Sequence, residues 1–287
     1  MANLLAKTAF ADVNYRHILP PAAVLLVMGM LLGVMGRAES LAEWNVSSGY
    51  LSTITLLAFL ILGAFAARTN RDGWVALLLV AILYALNLFI LSLPRIGLFA
   101  EFDWNWQGKT LDLIWMLGII ALLSIDQRRE IGWTWQTKLG TLPVAFINIG
   151  ILVIAGFLLA NAAPGRTDGG LTLERLLFDA SYPNLVEEIA FRGFMLALLD
   201  RVFAQRWSFG GTQIGWGVVL TAWLFGLAHG ITLDESGALH FDLTWLIFAF
   251  VMGLVLGWIR TLTDSLWPAY LAHAAPEMGI LAAMAFH

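Results

Sequence analysis

The chain has 287 residues, 60% of them hydrophobic and 13% charged, with a net charge of −4 and no cysteine. Soluble domains run near half apolar and about a quarter charged, so an ordinary cytosolic, disordered or collagen-like protein is excluded and the bilayer is read as the solvent. The acidic balance leaves no basic footprint for nucleic acid. Without cysteine there are no disulfides, thiolate nucleophiles, iron–sulfur clusters or cysteine zinc sites.

A transmembrane helix needs about 20 mostly apolar residues. Taken in order, the candidate spans are Ile18–Gly36, Tyr50–Ala67, Gly73–Leu93, Leu111–Ile125, Leu139–Ala160, Leu185–Leu199, Gln213–Gly230, Leu243–Ile259 and Trp267–Phe286. The first follows a polar stretch carrying Lys7 and Arg16 and is long enough to span. It has no convincing small-x-small cleavage site set in a polar flank, so it is expected to be a retained anchor. The fourth and sixth are short, which sets the expectation at eight or nine spans. Trp44, Trp104, Trp106, Trp133, Trp135 and Trp267 fall at span ends, where an interfacial aromatic belt places them. The longest polar break, Asn161 to Tyr182, is read as a loop with a short helix at Leu171–Phe178. The expected fold is therefore all-α, a polytopic integral membrane helix bundle. Residues 1–160 supply about five N-terminal spans, and 161–287 form a C-terminal region of different character.

Lys and Arg counted in alternate loops give ten inside and five outside with the N-terminus cytoplasmic; Lys109 is counted among the outside five. The bias favours N-in and, with nine spans, C-out.

Ionisable residues inside spans are costly and point to function. They cluster in the last third: Glu187, Glu188 and Arg192 in one span, His229 in the next, His273 and Glu277 in the last. The first five spans hold little beyond Asn87, Asp112 and Asn148. Glu188 and Arg192 stand at i and i+4 with the acid first, the favourable order for an ion pair on one face. Glu187 lies about 100° round the helix and is expected to be left free, as a general base or acid. The bland alternative is that Asn184 caps this helix with Glu187 as the acid of its first turn. Phe225 and His229 share a face of the next span, where Gly226 and Gly230 are spaced for close helix approach. By itself His229 reads equally as a helix-end residue. His273 and Glu277 are again i and i+4, beside Pro276, which cannot donate to the carbonyl of Ala272; alone they read as a kink with a self-satisfied pair.

Together the three motifs say more. Glu187 begins a span running one way and His229 ends a span running the other, so both lie at one depth in either orientation. His273 is expected to face them, slightly deeper.

Glu187-Glu188-x-x-x-Arg192, Phe225-x-x-x-His229 and His273, over roughly Glu174 to Leu281, resemble the CPBP (Abi) family of intramembrane glutamic proteases, which includes CAAX prenyl endopeptidases and bacteriocin-processing enzymes. The resemblance implies that Glu187 activates water and His229 holds it. It makes Glu188, Arg192 and Phe225 supporting residues, and His273 part of an oxyanion site. The family's third motif usually carries asparagine four residues after the histidine; here that position is Glu277. An ionised carboxylate cannot donate to an oxyanion. Either Glu277 carries a proton, or the site rests on His273 and other donors, or Glu277 is a metal ligand.

The expectation is an intramembrane endopeptidase without cofactor, acting on a membrane-associated protein or peptide in the bilayer of a bacterial or archaeal cell. The alternatives are a zinc-dependent protease using His229, His273 and Glu277, a non-catalytic immunity or scaffold protein, and a proton-coupled transporter. Against the last, no inverted repeat is visible.

Overall fold

Long runs of Leu, Ile, Val and Ala with polar caps at their ends make helices almost throughout. The computed structural model describes residues 71–162, 170–203, 205–233 and 239–286. The expected spans Ile18–Gly36 and Tyr50–Ala67 lie outside the described residues. Helix α1 covers Arg71–Leu91, α2 Trp106–Leu122 and the short α3 Ile125–Glu130. Helix α4 covers Leu142–Ala162 and α5 Leu173–Ala180. A continuous helical column follows: α6 at Tyr182–Glu188, a π-helical stretch at Ile189–Met195, and α7 at Leu196–Val202. The chain ends in α8 (Trp216–Gly230), α9 (Leu243–Thr263) and α10 (Leu266–Met284).

The all-α expectation holds for the long elements, with two small additions. Strands β1 (Arg206–Phe209) and β2 (Thr212–Gly215) pair antiparallel, with Phe209 opposite Thr212. The two-residue turn between them is Gly210-Gly211, both at positive φ (53° and 82°), which glycine adopts without steric cost. The run expected to begin a span at Gln213 therefore starts its helix at Trp216, because Gln213 belongs to this hairpin. Strands β3 (Ile231–Leu233) and β4 (Leu239–Phe241) form a second ribbon between α8 and α9.

Helix ends are set by local chemistry. Asn105 accepts from the Gly108 N–H to start α2, Asp242 accepts from Trp245 to start α9, and Ser124 with Gln127 makes a full capping box on α3. The expected helix at Leu171–Phe178 lies two residues later because the Thr172 side chain caps it. Helix α2 begins five residues before the expected Leu111. A hydropathy window trims off Lys109, but partners described below satisfy it.

The column is the centre of the structure. Every residue from Ile189 to Met195 is buried, and they pack with Leu77, Val80 and Tyr84 of α1, Met116 of α2 and Phe225 of α8. A second cluster joins Ala145 of α4, Leu256 and Ile259 of α9, and Ala269 and Ala272 of α10.

Helix α4 is built inside out for water. Its buried residues are Ala145, Gly156 and Ala160, while Phe146, Ile147, Ile151, Ile154 and Leu158 are exposed. Small residues facing helices and large apolar ones facing outward is the pattern of a helix in lipid. Helices Leu142–Ala162 and Leu243–Thr263 are long and apolar enough to cross a membrane, and the apolar stretches Val75–Leu91 and Trp216–Gly230 are shorter.

The contact of α4 with α10 depends on two glycines. A Cβ at Gly279 would stand 2.0 Å from the carbonyl oxygen of Val153, and one at Gly156 2.0 Å from that of Pro276. On the other side of the site, a Cβ at Gly230 would meet Leu246 at 2.3 Å, so α8 and α9 approach as the Gly226/Gly230 spacing suggests. Gly279→Val is expected to separate α4 from α10 and lower the thermal midpoint sharply, since overpacking costs typically about 1–3 kcal/mol. Gly150→Ala, with nothing within 4 Å of the new Cβ, is the control and should leave the midpoint unchanged or raise it. Thermal unfolding of both variants in one detergent compares them directly.

Candidate active site

The column presents its first turn to α10 on one side and α2 on the other. Glu188 closes α6, where the helix widens into the π-helical stretch; such widenings recur at functional sites. Arg192 donates through Nη1 to Glu188 Oε1 at 3.0 Å, and both side chains are fully buried. The i, i+4 pair read from the sequence is thus formed. The guanidinium also lies 4.3 Å from the centroid of the Phe225 ring, a cation–π contact.

The same Glu188 oxygen takes His273 Nδ1 at 2.8 Å. A carboxylate paired with arginine accepts only, so the Nδ1–H of His273 donates to it. The other ring nitrogen, Nε2, lies 3.6 Å from Glu187 Oε2. His229 is arranged alike. Its Nδ1 lies 2.9 Å from the carbonyl oxygen of Phe225 one turn back, which again only accepts. Its Nε2 lies 3.9 Å from Glu187 Oε2. Phe225 packs between the two imidazoles, 4.3 Å from the His229 ring and 5.5 Å, edge to face, from that of His273. As neutral rings, both histidines aim an unprotonated Nε2 at one carboxylate oxygen.

Glu187 is not the free carboxylate expected from the sequence. Its other oxygen, Oε1, accepts from the Nζ of Lys109 on α2. Lys109, assigned to a loop by the charge count, is buried inside the helix together with Asp112 one turn later. Asp112 accepts from Asn87 Nδ2 and Trp115 Nε1, both at 2.7 Å. Asn87 and Asp112 of the early spans therefore lie beside this centre, whereas Asn148 donates to the Val144 carbonyl of its own helix.

Asn184 does not cap α6. The cap position is Ser181, and the Asn184 amide spends its two hydrogens on the carbonyl of Asp179 (3.1 Å) and on Glu277 Oε2 (2.5 Å). Glu277 consequently bonds to Asn184 and not to His273 one turn earlier. Asp179 itself, at the end of α5, has its carboxyl pushed up by burial, with Arg175 at 3.7 Å pulling the other way. Among the described residues no group of three His, Asp or Glu side chains is arranged to hold a metal ion, so the set His229, His273 and Glu277 gains no support from the geometry. Helix α10 continues through Pro276 without a break.

A mostly apolar groove of about 430 Å³ is lined by Phe99, Phe102, Trp106, Leu173, Leu177 and Tyr182, with Glu174 the charged residue in its wall. Trp106 sits one turn before Lys109, and the Tyr182 hydroxyl is 2.6 Å from Thr110 Oγ1.

Residues 171–278 match the family model of type II CAAX prenyl endopeptidase Rce1-like proteins. The match falls on the same segment as the resemblance to the CPBP proteases; that segment runs from the start of α5 into α10 and carries Glu187, His229, His273 and Glu277. The family is one of membrane-embedded proteases. Lys109, Asp112 and Asn87 lie outside the match. No curated protein and no solved structure matches the chain.

Removing one partner of a buried ion pair leaves an uncompensated charge and costs about 3–5 kcal/mol. Arg192→Met should therefore lower the yield of folded protein and its thermal midpoint strongly. The double substitution Arg192→Met with Glu188→Gln should recover most of the loss, since the amide oxygen placed at position 188 still accepts from His273. Detergent-solubilised yield and thermal unfolding of the three proteins check this.

Proposed function

We propose that this chain is an intramembrane endopeptidase that hydrolyses a peptide bond of a membrane-associated protein or peptide, with Glu187 as the base that activates water. The observation that carries the reading is the Glu187 carboxylate facing two imidazole Nε2 atoms whose rings are both held at Nδ1. A water donating one hydrogen to Glu187 Oε2 and the other to an Nε2 presents its lone pair to a scissile carbonyl carbon. As the carbon–oxygen bond forms, Glu187 takes the proton and later returns it to the leaving nitrogen. The Nε2 that takes this second hydrogen, on His229 or on His273, orients the water as its acceptor. Glu188 fixes the His273 ring, Arg192 compensates Glu188, and Phe225 spaces the two rings. We assign the Trp106–Tyr182 groove to the apolar part of the substrate.

We further propose a polytopic membrane bundle of eight or nine spans, with residues 161–287 carrying the three motifs and residues 1–160 supplying about five N-terminal membrane helices. The outward apolar faces of α4 and α9 support this reading. Glu277 acts by holding Asn184 rather than as a metal ligand.

Glu187→Gln, which keeps the size of the side chain and removes the base, should lower substrate processing on the order of a thousandfold in membranes that cleave with the wild type. A chelator should leave wild-type cleavage unchanged. Wild-type rates in the Glu187→Gln protein would sink the base assignment, and chelator-sensitive cleavage restored by zinc would favour the metal mechanism.

A further inference from the structure

We propose that Lys109 is a further catalytic residue, whose ammonium donates to the oxyanion of the tetrahedral intermediate once Glu187 has taken the proton of water. The inference rests on Glu187 acting as the base. Hydrolysis by that route moves one negative charge a short way. Before the step it sits on the Glu187 carboxylate. When the water oxygen bonds to the carbonyl carbon, the C=O π pair moves onto the carbonyl oxygen and the proton goes to Glu187. The carboxyl becomes neutral, and the charge appears on the oxyanion. Lys109 is in hydrogen-bond contact with Glu187 at the outset, so the cation that balances the charge before the step is beside it afterwards.

The need for such a donor follows from where the other hydrogens go. The Nδ1–H of His229 is committed to the Phe225 carbonyl, and that of His273 to Glu188. Both hydrogens of the Asn184 amide are used on Asp179 and Glu277. Glu277, four residues after His273, has its Oε2 taken by Asn184. Arg192 gives Nη1 to Glu188 and keeps its unpaired Nε and Nη2 fully buried against the Phe225 ring, and the Trp115 N–H goes to Asp112. Among the described residues, Lys109 is the cation in hydrogen-bond contact with Glu187, and it keeps further N–H groups on the same nitrogen. It is 8% exposed, in surroundings where a charge interaction is far stronger than in water. Asp112 does not neutralise it by contact, because Asn87 and Trp115 hold that carboxylate. Lys109 stands outside the family-matched segment, so this donor is supplied by the chain's own second described helix.

The test uses the full chain in lipid nanodiscs and a fluorescence-quenched farnesylated peptide ending in a Cys-aliphatic-aliphatic-X tetrapeptide. Loss of an oxyanion donor costs about 10²–10³ in kcat, so Lys109→Met should fall by that factor with KM little changed. Lys109→Arg, which keeps charge and donors, should stay within about tenfold of wild type. Affinity for the same peptide carrying a phosphinate at the scissile position should fall with kcat in Lys109→Met. Affinity for the uncut peptide, read in a Glu187→Ala background, should not. Where Lys109→Met fails to accumulate folded, Lys109→Gln is read the same way, with a loss of at least about tenfold expected of a neutral donor. Wild-type kcat in the Met or Gln variant overturns the proposal. So does an equal loss in Met and Arg variants with phosphinate affinity unchanged, which is the signature of a structural role. Cleavage by the Glu187→Ala protein alone would instead overturn the base assignment on which the proposal rests.

Discussion

A single buried oxygen, Glu188 Oε1, accepts from both Arg192 and His273, and the remaining geometry of the site follows from it. A carboxylate with no exposure must be compensated where it stands, and the cost of leaving it unpaired exceeds that of most packing defects. Arg192 compensates it from one turn along the same column. The carboxylate then has capacity to hold the Nδ1–H of His273 and so decides which nitrogen of that ring faces the reacting space. Nothing else needs to move for Nε2 to point at Glu187. The arrangement resembles, in physical terms, any acid that orients an imidazole from behind.

Around this point the helices are brought close by small residues rather than by large interlocking ones. Gly156 and Gly279 let α4 and α10 touch backbone to backbone, which places His273 against the column. Gly230 does the same for α8 and α9 and sets His229. The large apolar side chains that a soluble protein would bury are turned outward on α4 and α9. In lipid that costs nothing, because there is no hydrophobic gain from helix association and close packing decides the contact. The same apolar surroundings make each ion pair inside the bundle count.

What was legible in the sequence was local or periodic. The Glu188–Arg192 pair is four residues apart on one helix, and the apolar runs announce their helices through composition alone. Glu187 and His229 come to one level because each stands near the end of its apolar run, and His273 faces them from deeper in its own. The contacts that were missed join distant positions. Lys109 meets Glu187 across 78 residues, and Asn184 meets Glu277 across 93. No periodicity encodes either. Lys109 was misplaced for a physical reason: a window that penalises charge ends the span before it, although a buried partner removes that penalty. The i, i+3 spacing of Lys109 and Asp112 at the head of an apolar run was the one available signal. The Gly210-Gly211 hairpin has a local signature too, a two-residue glycine turn that lies outside any long apolar run.

The proposed chemistry requires His229 and His273 each to be held with hydrogen on Nδ1 and a bare Nε2 facing Glu187. Side-chain ¹⁵N NMR of histidine-labelled protein in nanodiscs measures this directly, with His229 and His273 assigned by single His→Gln variants. The account predicts two neutral rings whose Nδ1 carries the proton and whose Nε2 resonates as an unprotonated, acceptor nitrogen, with the His273 pattern lost in Glu188→Ala. A protonated Nε2 with a bare Nδ1 on His273, unaffected by Glu188→Ala, would contradict it.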